Sequence, residues 1–333
     1  MYIMPAHPIS GLTEFVAPSQ GLTKSFMQTT NHLLLVRPAN FARASETVAD
    51  NSFQEAVSDE TYSAVAARAV EEFDNFADLL RRAGVTVHVI EDTPAPVKPD
   101  AVFPNNWFST HEGGTLVTYP TFWPQRRQER RADIIDYISE QFAVQQHLDL
   151  SPWEDREWYL ESTGCLLLDR KARIAYACLS QRCSLAAVHE WCELMGYQPI
   201  TFHGYDARGE VIYHTNVMMA IGTRDVLVCL DAVRDPAEKS KLTESIALSG
   251  KRIIGLSLEQ IDQFAGNALE AVTPDGPVWI MSSAAFHSLS EEQRDALLEP
   301  EGMRILHADL ETIEQYGGGS ARCMLAEIFL NKP

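Results

Sequence analysis

The sequence predicts an α/β fold in which five similar modules are arranged radially within a single domain. The first observation is a pattern of predicted elements, an apolar strand, a tight turn, a second strand and a helix, which recurs five times. The second is its spacing of about 60 residues, which suits a supersecondary module placed around an axis. The third is that no Pro-, Gly- or Ser-rich linker interrupts the modules. Two separate domains are the alternative.

The modules begin after an irregular lead-in of residues 1–30. The first module consists of the strand HLLLVRP, an amphipathic helix over residues 58–84 and the strand VTVHVIED. The second consists of the hairpin WFSTHEGGTLVTYP, which turns at Gly113 and Gly114, and the helix RRQERRADIIDYISEQF. We therefore expect one domain over residues 31–333.

Three further modules repeat the pattern. The third is the hairpin GCLLLDRKARIAYACLS with the helix SLAAVHEWCELMG, and the fourth is NVMMAIGTRDVLVCLD with the helix PAEKSKLTESIALSG. The fifth is the strand VWIMSSAAF with the helix SEEQRDALLE, followed by the segment around Cys323.

Composition and charge exclude several classes of protein. The chain has 333 residues, 45% of them hydrophobic, so it can bury a large core and is not disordered. A net charge of -19 from scattered acidic residues argues against nucleic acid or an anionic membrane as a partner. The N-terminus lacks the features of a signal peptide, and no apolar run reaches the ~18 residues of a membrane span. We expect a soluble, cytoplasmic protein, and a homo-oligomer is compatible with the sequence.

The six cysteines follow no pattern for a disulfide framework or a structural metal site. They form no C-x-x-C pair, and no histidine stands at zinc-finger spacing. Five of them lie in apolar segments that are predicted to be strands or helices, where a buried thiol behaves as a small hydrophobe. Cys323 differs, because three glycines and an arginine precede it in GGGSARCMLAEIFL.

The residues before Cys323 suit a reactive thiol. Glycines 317–319 permit positive φ and let a ligand approach backbone amides closely. A thiol flanked by N–H donors and by Arg322 tends toward the nucleophilic thiolate. The apolar residues that follow would anchor the thiol on a regular element. The alternative is a glycine turn that leads to an incidental cysteine.

His214 and Glu161 are candidates for the base that a cysteine nucleophile needs. His214 stands at the head of the apolar strand text NVMMAIG, where its side chain can project into a pocket. Glu161 precedes another strand, in WYLESTGCLLLD, and can hold an imidazole or accept a substrate N–H. The chain has ten histidines, so one such placement is weak evidence, and a capping or solvated carboxylate is the alternative for Glu161.

These three positions together resemble the guanidino-group-modifying superfamily, whose pentein fold is a pseudo-fivefold α/β propeller. The superfamily includes arginine deiminases, dimethylarginine hydrolases and amidinotransferases, and the resemblance spans about residues 31–330. It implies that residues 31–333 form an amidinotransferase-like catalytic domain. It also implies that Cys323 is the nucleophile, that His214 is the base and that Glu161 is a catalytic carboxylate.

Further motifs extend the resemblance to substrate binding. DAVFPNNWFST aligns Phe103 and Asn106 with the superfamily's Phe-x-x-Asp substrate motif. The segments WPQRRQE and SQR resemble motifs whose arginines grip a substrate carboxylate, which implies that role for Arg126 and Arg182. Two planar guanidinium groups suit the α-carboxylate of a free amino acid. Without the resemblance, a solvated basic helix start is the simpler interpretation of both arginines.

Within the superfamily the likeness is greatest to the citrulline-utilisation hydrolases. VRPANF, FPNNWFSTH, GNALE and GGGSARCMLAEI all look like segments of that branch. The likeness implies pocket positions for Arg37, Asn51 and Asn267, with Asn51 as a candidate substrate-binding residue.

The chain departs from the deiminases at two substrate-binding positions. Asn106 and Asn216 stand where deiminases have carboxylates that bracket the guanidinium. The exchange removes two charge-assisted hydrogen bonds of roughly 1.5–3 kcal/mol each, which disfavours a cation. An amide offers both a donor and an acceptor and therefore complements a neutral ureido group. Citrulline is the favoured substrate, and Glu161 leaves arginine open.

The resemblance implies a covalent mechanism without a metal or an organic cofactor. The Cys323 thiolate attacks the guanidino or ureido carbon, His214 transfers the protons and Glu161 orients the N–H groups. Backbone amides of Gly318 and Gly319 stabilise developing charge. An amidinotransferase is the alternative enzyme, and a non-catalytic propeller that only binds a partner is the alternative from another class.

Overall fold

The computed structural model describes residues 27–43 and 45–333. This part of the chain contains five three-stranded sheets. Of the predicted lead-in, residues 1–26 lie outside this part. The five sheets confirm the predicted number of modules. The strands of the described residues are β1 (His32–Arg37), β2 (Thr86–Glu91), β3 (Phe108–His111), β4 (Thr115–Thr118), β5 (Gln146–Asp149), β6 (Leu166–Asp169), β7 (Ile174–Cys178), β8 (Gln198–Phe202), β9 (Met219–Ile221), β10 (Asp225–Val228), β11 (Arg252–Gly255), β12 (Leu269–Thr273), β13 (Gly276–Ser282), β14 (Arg304–Ala308) and β15 (Ala326–Ile328).

Helices connect the strands within each module. The α-helices of the described residues are α1 (Tyr62–Arg82), α2 (Ala132–Gln141), α3 (Ser162–Cys165), α4 (Leu185–Met195), α5 (Thr215–Met218), α6 (Pro236–Leu248), α7 (Leu258–Asp262), α8 (Ser283–Ser288), α9 (Glu291–Leu298) and α10 (Glu311–Gly317). Short 3-10 helices lie at Glu46–Ala49, Pro104–Asn106, Pro124–Glu129, Ser151–Arg156 and Leu230–Ala232.

Helix α1 illustrates how the longer helices pack. Its buried apolar side chains recur every three or four residues, so they share one face of the helix: Val65, Ala69, Phe73, Phe76 and Leu80. These residues join Leu33 and Leu35 of β1 in one hydrophobic core. Burial of each large apolar side chain contributes roughly 1.5–3 kcal/mol.

All five sheets have the same topology. The middle strand pairs antiparallel with one neighbour and parallel with the other, as in β3-β4-β5 and β6-β7-β8. A helix lies between the two parallel strands, because a parallel pair needs a crossover connection. In modules two to four the sequence did not predict the third strand, and in module five it predicted only β13 and missed both β12 and β14. The missed third strands are only partly buried, and β5 (QHLD) has no apolar periodicity to reveal it. β12 (LEAVT) is mostly buried and was also missed.

The last strand completes the first sheet. β1 pairs in parallel with β2 and antiparallel with β15, in the register His32 to Ile328 and Leu34 to Ala326. The two ends of the described chain therefore meet in one sheet, which closes the radial arrangement. The segment that carries Cys323 is anchored on a strand, as the apolar residues after it predicted.

Neither membrane spans nor metal clusters occur in the described part of the chain. Within residues 27–43 and 45–333, no helix has the length and apolarity needed to cross a bilayer. The same residues contain no group of three or more His, Cys, Asp or Glu side chains suited to a metal ion. All six cysteines are buried free thiols.

Candidate active site

Each sheet is preceded by a turn that carries one polar or nucleophilic side chain. Asn106 ends the 3-10 helix before β3, Glu161 is the N-cap of α3 before β6, and His214 is the N-cap of α5 before β9. Asn267 lies just before β12, and Cys323 just before β15. Because equivalent positions of radially arranged modules face the axis, residues far apart in the sequence meet there.

Asn106, His214 and Cys323 line one small cavity. Phe103 and residues 317–319 also lie in its wall. The cavity has a volume of about 10 Å³, which is close to the space that one water molecule requires. The cysteine and the histidine that the sequence singled out therefore face the same space.

The sulfur of Cys323 is buried and contacts two amide groups. Asn267 Nδ2 lies 3.1 Å and Asn216 Nδ2 lies 3.4 Å from Sγ. The orientation of the Asn267 amide is set by its other end, because Oδ1 accepts the backbone N–H of Cys323 at 3.3 Å. Two N–H donors directed at one sulfur suit an anionic acceptor.

Arg322 does not supply these donors. Its guanidinium donates to the carbonyl of Leu325 at 2.8 Å and to Glu327 at 3.0 Å. Successive residues of the turn point in different directions, so Arg322 and Cys323 do not face the same partners. The hydrogen bonds to the sulfur thus come from two asparagines rather than from the arginine that the sequence suggested.

His214 and Glu161 form a buried pair. His214 Nε2 lies 2.7 Å from Glu161 Oε2, and the backbone N–H of Phe122 donates to Oε1 at 3.1 Å. Burial alone raises the pKa of Glu161, but Arg182, His214 and Arg126 outweigh it and lower this pKa to about 2. Glu161 is therefore ionised at neutral pH.

The pKa of His214 is raised above its ordinary value of 6.5. Burial lowers this pKa, but the contacts with Cys165 and Glu161 outweigh burial. Burial raises the pKa of Cys165 well above 9.0, so that thiol stays neutral at physiological pH. The Glu161 carboxylate is consequently the charge that favours the protonated imidazole.

Arg126 and Arg182 lie in the cavity wall, and each holds a carboxylate of the chain. Arg126 donates to Glu129 from Nε at 2.9 Å and from Nη2 at 2.7 Å, and from Nη1 to Asn106 Oδ1 at 2.9 Å. Arg182 donates from Nε and Nη2 to the two oxygens of Asp50. That these arginines bind a substrate carboxylate stays a prediction. Any ligand would have to share or displace these partners.

Buried polar atoms without a partner point to where a ligand would bind. Ten buried side-chain polar atoms of the described residues have no hydrogen-bond partner, and three of them lie near Cys323. Asn106 Nδ2 and Asp100 Oδ1 belong to residues of the cavity wall, whereas Asn216 Oδ1 belongs to a residue that contacts the sulfur but does not line the cavity. Asp100 lines the cavity with Asn106, while its other oxygen accepts from Ser45 at 2.7 Å. Buried polar groups are nearly always paired, so these atoms are suited to a ligand. Asp100 was not predicted as a site residue, although it is the first residue of the DAVFPNN segment that contains Phe103 and Asn106.

The backbone amide of Gly318 is already hydrogen-bonded at the end of helix α10. Gly318 ends helix α10 with a φ of 63°, a conformation that favours glycine. Its N–H donates to the carbonyl of Glu314 at 2.9 Å. The helix end already uses this donor, and the role of the amide in stabilising charge on a substrate stays a prediction.

The neighbouring residues pack the glycine loop. Asn51 Nδ2 donates to the Gly318 carbonyl at 3.2 Å. A side chain at Gly319 would lie 3.0 Å from the Phe103 ring and 3.3 Å from Cys323 Cβ, so glycine is needed for this close approach. The substrate-binding roles of Phe103, Asn51 and Gly319 stay predictions.

Arg37 lies apart from this group. It forms a bidentate pair with Asp74, with distances of 2.8 and 2.9 Å, and a longer contact with Glu91. The pocket position that the resemblance implied for Arg37 is therefore not observed.

Gly164 provides the space beside His214, and alanine there is expected to lower kcat by roughly 10–100-fold. An added Cβ would lie 2.5 Å from Asn106 Nδ2 and 2.9 Å from His214 Nδ1, so at least one side chain must shift. Gly255→Ala is the matched control, because nothing lies within 4 Å of its added Cβ. Steady-state kinetics and melting temperatures of both variants test this, and equal kcat values would contradict it.

The family model described as N,N-dimethylarginine dimethylhydrolase, eukaryotic, matches residues 37–330. No curated protein matches the chain at a significant level.

Solved structures of ArgZ, an arginine dihydrolase from the ornithine-ammonia cycle in cyanobacteria, have a similar fold. The apo structure has a TM-score of 0.69 and 18% identity, and the match covers 91% of this chain and 41% of that chain. The chain thus spans about two fifths of that ArgZ chain. The N-terminal domain of ArgZ bound to its product has a TM-score of 0.70 and 17% identity over 90% of this chain and 98% of that chain.

A third similar structure is a dimethylarginine dimethylaminohydrolase, solved as an adduct with 4-chloro-2-hydroxymethylpyridine. Its TM-score is 0.59 at 14% identity, and the match covers 90% of this chain and 99% of that chain. At such identities the likeness shows the fold alone, and the citrulline-utilisation branch stays a prediction. By the family match over residues 37–330 and the five-sheet fold, the chain belongs to the N,N-dimethylarginine dimethylhydrolase family of the guanidino-group-modifying (pentein) superfamily.

Proposed function

We propose that the protein is a cysteine-dependent hydrolase that cleaves a C–N bond of citrulline or arginine and yields ornithine and ammonia. The observation that carries this proposal is one cavity lined by the thiol of Cys323, by His214 and by polar atoms that lack a partner. The family match supports hydrolysis at guanidino carbon. A propeller that only binds a partner would not need the His214–Glu161 pair behind a cysteine.

The residues suit a two-step reaction on citrulline. The Cys323 sulfur bonds to the ureido carbon, and the C–N bond to the ornithine nitrogen breaks while His214 gives that nitrogen a proton. A carbamoyl group remains on the sulfur. Water that loses a proton to His214 then cleaves the C–S bond, and the resulting carbamate decomposes to carbon dioxide and ammonia. Glu161 keeps the imidazole oriented throughout.

The unpartnered atoms favour a ureido group over a guanidinium. Asn106 Nδ2 is a donor suited to the ureido oxygen, and Asn216 Oδ1 is an acceptor suited to an N–H. A guanidinium, by contrast, has no acceptor to offer Asn106. Asp100 lines the same cavity, and its carboxylate oxygen Oδ1 has no hydrogen-bond partner. This oxygen suits a cationic nitrogen of the substrate.

Incubation with citrulline, arginine, agmatine and dimethylarginine tests the proposal directly, with ornithine and ammonia as the products measured. We expect ornithine from citrulline. Accumulation of citrulline from arginine would contradict the argument from the two asparagines, and turnover of none of the four would contradict the proposed hydrolysis. Added amines would reveal an amidinotransferase by forming a new guanidino or ureido product.

Asn106→Asp is expected to shift the preference from citrulline toward arginine by about 10–100-fold in the ratio of kcat/KM values. The change places a carboxylate oxygen where Nδ2 now faces the cavity, and a charge-assisted hydrogen bond to a cation contributes about 1.5–3 kcal/mol. Asn106→Ala is the control, since it removes the amide without adding charge and should lower both activities together. An unchanged ratio in Asn106→Asp would refute this interpretation of the pocket.

A further inference from the structure

Asp50 holds Arg182 in the way that the proposed function requires of a substrate carboxylate. Arg182 Nε donates to Asp50 Oδ2 at 2.9 Å, and Nη2 donates to Oδ1. Trp123 Nε1 donates to the same Oδ1 at 3.0 Å. A planar guanidinium binds a carboxylate through two parallel N–H donors, and here a carboxylate of the chain itself fills that position.

The Asp50–Arg182 pair stands between two cavities. Asp50 lines an outer cavity of about 460 Å³, while Arg182 and Tyr213 line both this cavity and the inner one of about 10 Å³. Pockets for small ligands are typically about 300–1,000 Å³. The inner cavity alone therefore does not admit an amino acid with a ureido side chain. The outer cavity is large enough, but a ligand there reaches Cys323 only if the wall between the two cavities moves.

That wall is residues 45–54, and side-chain hydrogen bonds hold it in place. Its only regular element is the short 3-10 helix Glu46–Ala49. Asn51 and Gln54 donate to main-chain carbonyls at the end of helix α10, at 3.2 and 3.0 Å. The buried side chains of this segment, Thr47, Asn51 and Gln54, are all polar, and a segment without a buried apolar side chain opens more readily than a strand or a long helix.

We propose that Asp50 is a resident carboxylate that occupies the substrate-carboxylate position on Arg182, and that residues 45–54 form a lid which an α-carboxylate opens by displacing Asp50. This inference rests on the proposed function for the identity of the ligand. Exchange of one carboxylate for another leaves Arg182 paired in both states, whereas a ligand without a carboxylate offers Arg182 no replacement. Asp50 thereby selects for substrates with an α-carboxylate.

Binding of ornithine and putrescine tests the lid without requiring turnover, because the two differ by the carboxylate alone. Titration calorimetry with Cys323→Ser protein compares the native lid with Asp50→Asn. If the Asp50-displaced state is populated to about 10% before the ligand binds, removal of the competing charge raises ornithine affinity about tenfold. Putrescine affinity should stay within about twofold, since it does not compete for Arg182.

Two further variants complete the experiment. Trp123→Phe removes the donor to Asp50 Oδ1 and should raise ornithine affinity in the same direction by a smaller factor. Asp74→Asn removes an equivalent bidentate partner from Arg37, away from the cavity, and should change neither affinity.

Weaker or unchanged ornithine binding in Asp50→Asn would overturn the lid, because Asp50 would then only orient Arg182. Equal tightening of both ligands would also overturn it, because the carboxylate would play no part. These outcomes are independent of the hydrolysis assay: a protein that hydrolyses none of the substrates refutes the proposed function, while the two titrations still decide the role of Asp50.

Discussion

Replacement of Cys323 by alanine is expected to lower kcat by about 10⁴-fold or more while substrate binding is retained. In the proposed mechanism Cys323 is the nucleophile, so its loss removes the covalent step, and such losses are among the largest that single substitutions cause in enzymes. Cys323→Ser keeps the size of the side chain and should be similarly inactive. Retained turnover in either variant would exclude Cys323 as the nucleophile.

Chemical labelling gives a second test of the same residue. A chloroacetamidine reagent carries an amidine to the thiol and should label Cys323 selectively, because the other five cysteines are at most 1% exposed. Mass spectrometry of the labelled protein identifies the site. Cys192→Ala is the matched control. Cys192 is a buried residue of helix α4, and the variant should keep both the activity of the protein and the label at Cys323.

Glu161→Gln is expected to lower kcat by about 10²–10⁴-fold, the usual contribution of a positioned acid–base group. The amide keeps the size of the side chain but removes the charge that raises the pKa of His214. Protonated imidazole exists below its pKa, so the loss of activity on the alkaline side should move to lower pH in the variant. A pH–rate profile with an unmoved alkaline limb would argue against this partnership.

Stability measurements check the sign of the same interaction. The pKa of Glu161 is lowered from 4.5 to about 2 in the fold, so its contribution to the free energy of unfolding is present above pH 4.5 and disappears as the pH falls toward 2. The free energy of unfolding of the wild type should therefore exceed that of Glu161→Gln by on the order of 3 kcal/mol at neutral pH, and this difference should shrink in acid. For the kinetic measurement, Glu299→Gln serves as the control. Glu299 is an exposed partner of Arg224 and Arg252, and its replacement should leave the pH–rate profile unchanged.

Most of the fold was predictable because each module repeats the same local pattern. The hairpin strands and the helices have apolar spacings that their own residues determine. The edge strands were missed because strands such as β5 are largely exposed and acquire their structure by pairing with a neighbour. The partnership of β15 with β1 joins residues almost 300 positions apart, and no local signal indicates it.

Some residues of the candidate site were predictable from local motifs, and others became apparent only from contacts between modules. Cys323, His214 and Glu161 were found because each stands in a recognisable local motif just before a strand. Asn267 was located only by a matched segment, and its contact with the sulfur appears only in three dimensions.

The carboxylates that hold the arginines also differ in this respect. Glu129 follows Arg126 by three residues in one helical turn, so its pairing has a local signal. Asp50 is separated from Arg182 by 132 residues and has none.

By itself, the sequence determined the modules, the superfamily and the three residues proposed for catalysis, because these depend on periodicity and on motifs confined to short segments. Only the tertiary structure decided which groups contact the sulfur, which carboxylates occupy the arginines and how small the enclosed cavity is. These are properties of side chains that come from different modules, and their distances are set when the ring of sheets closes.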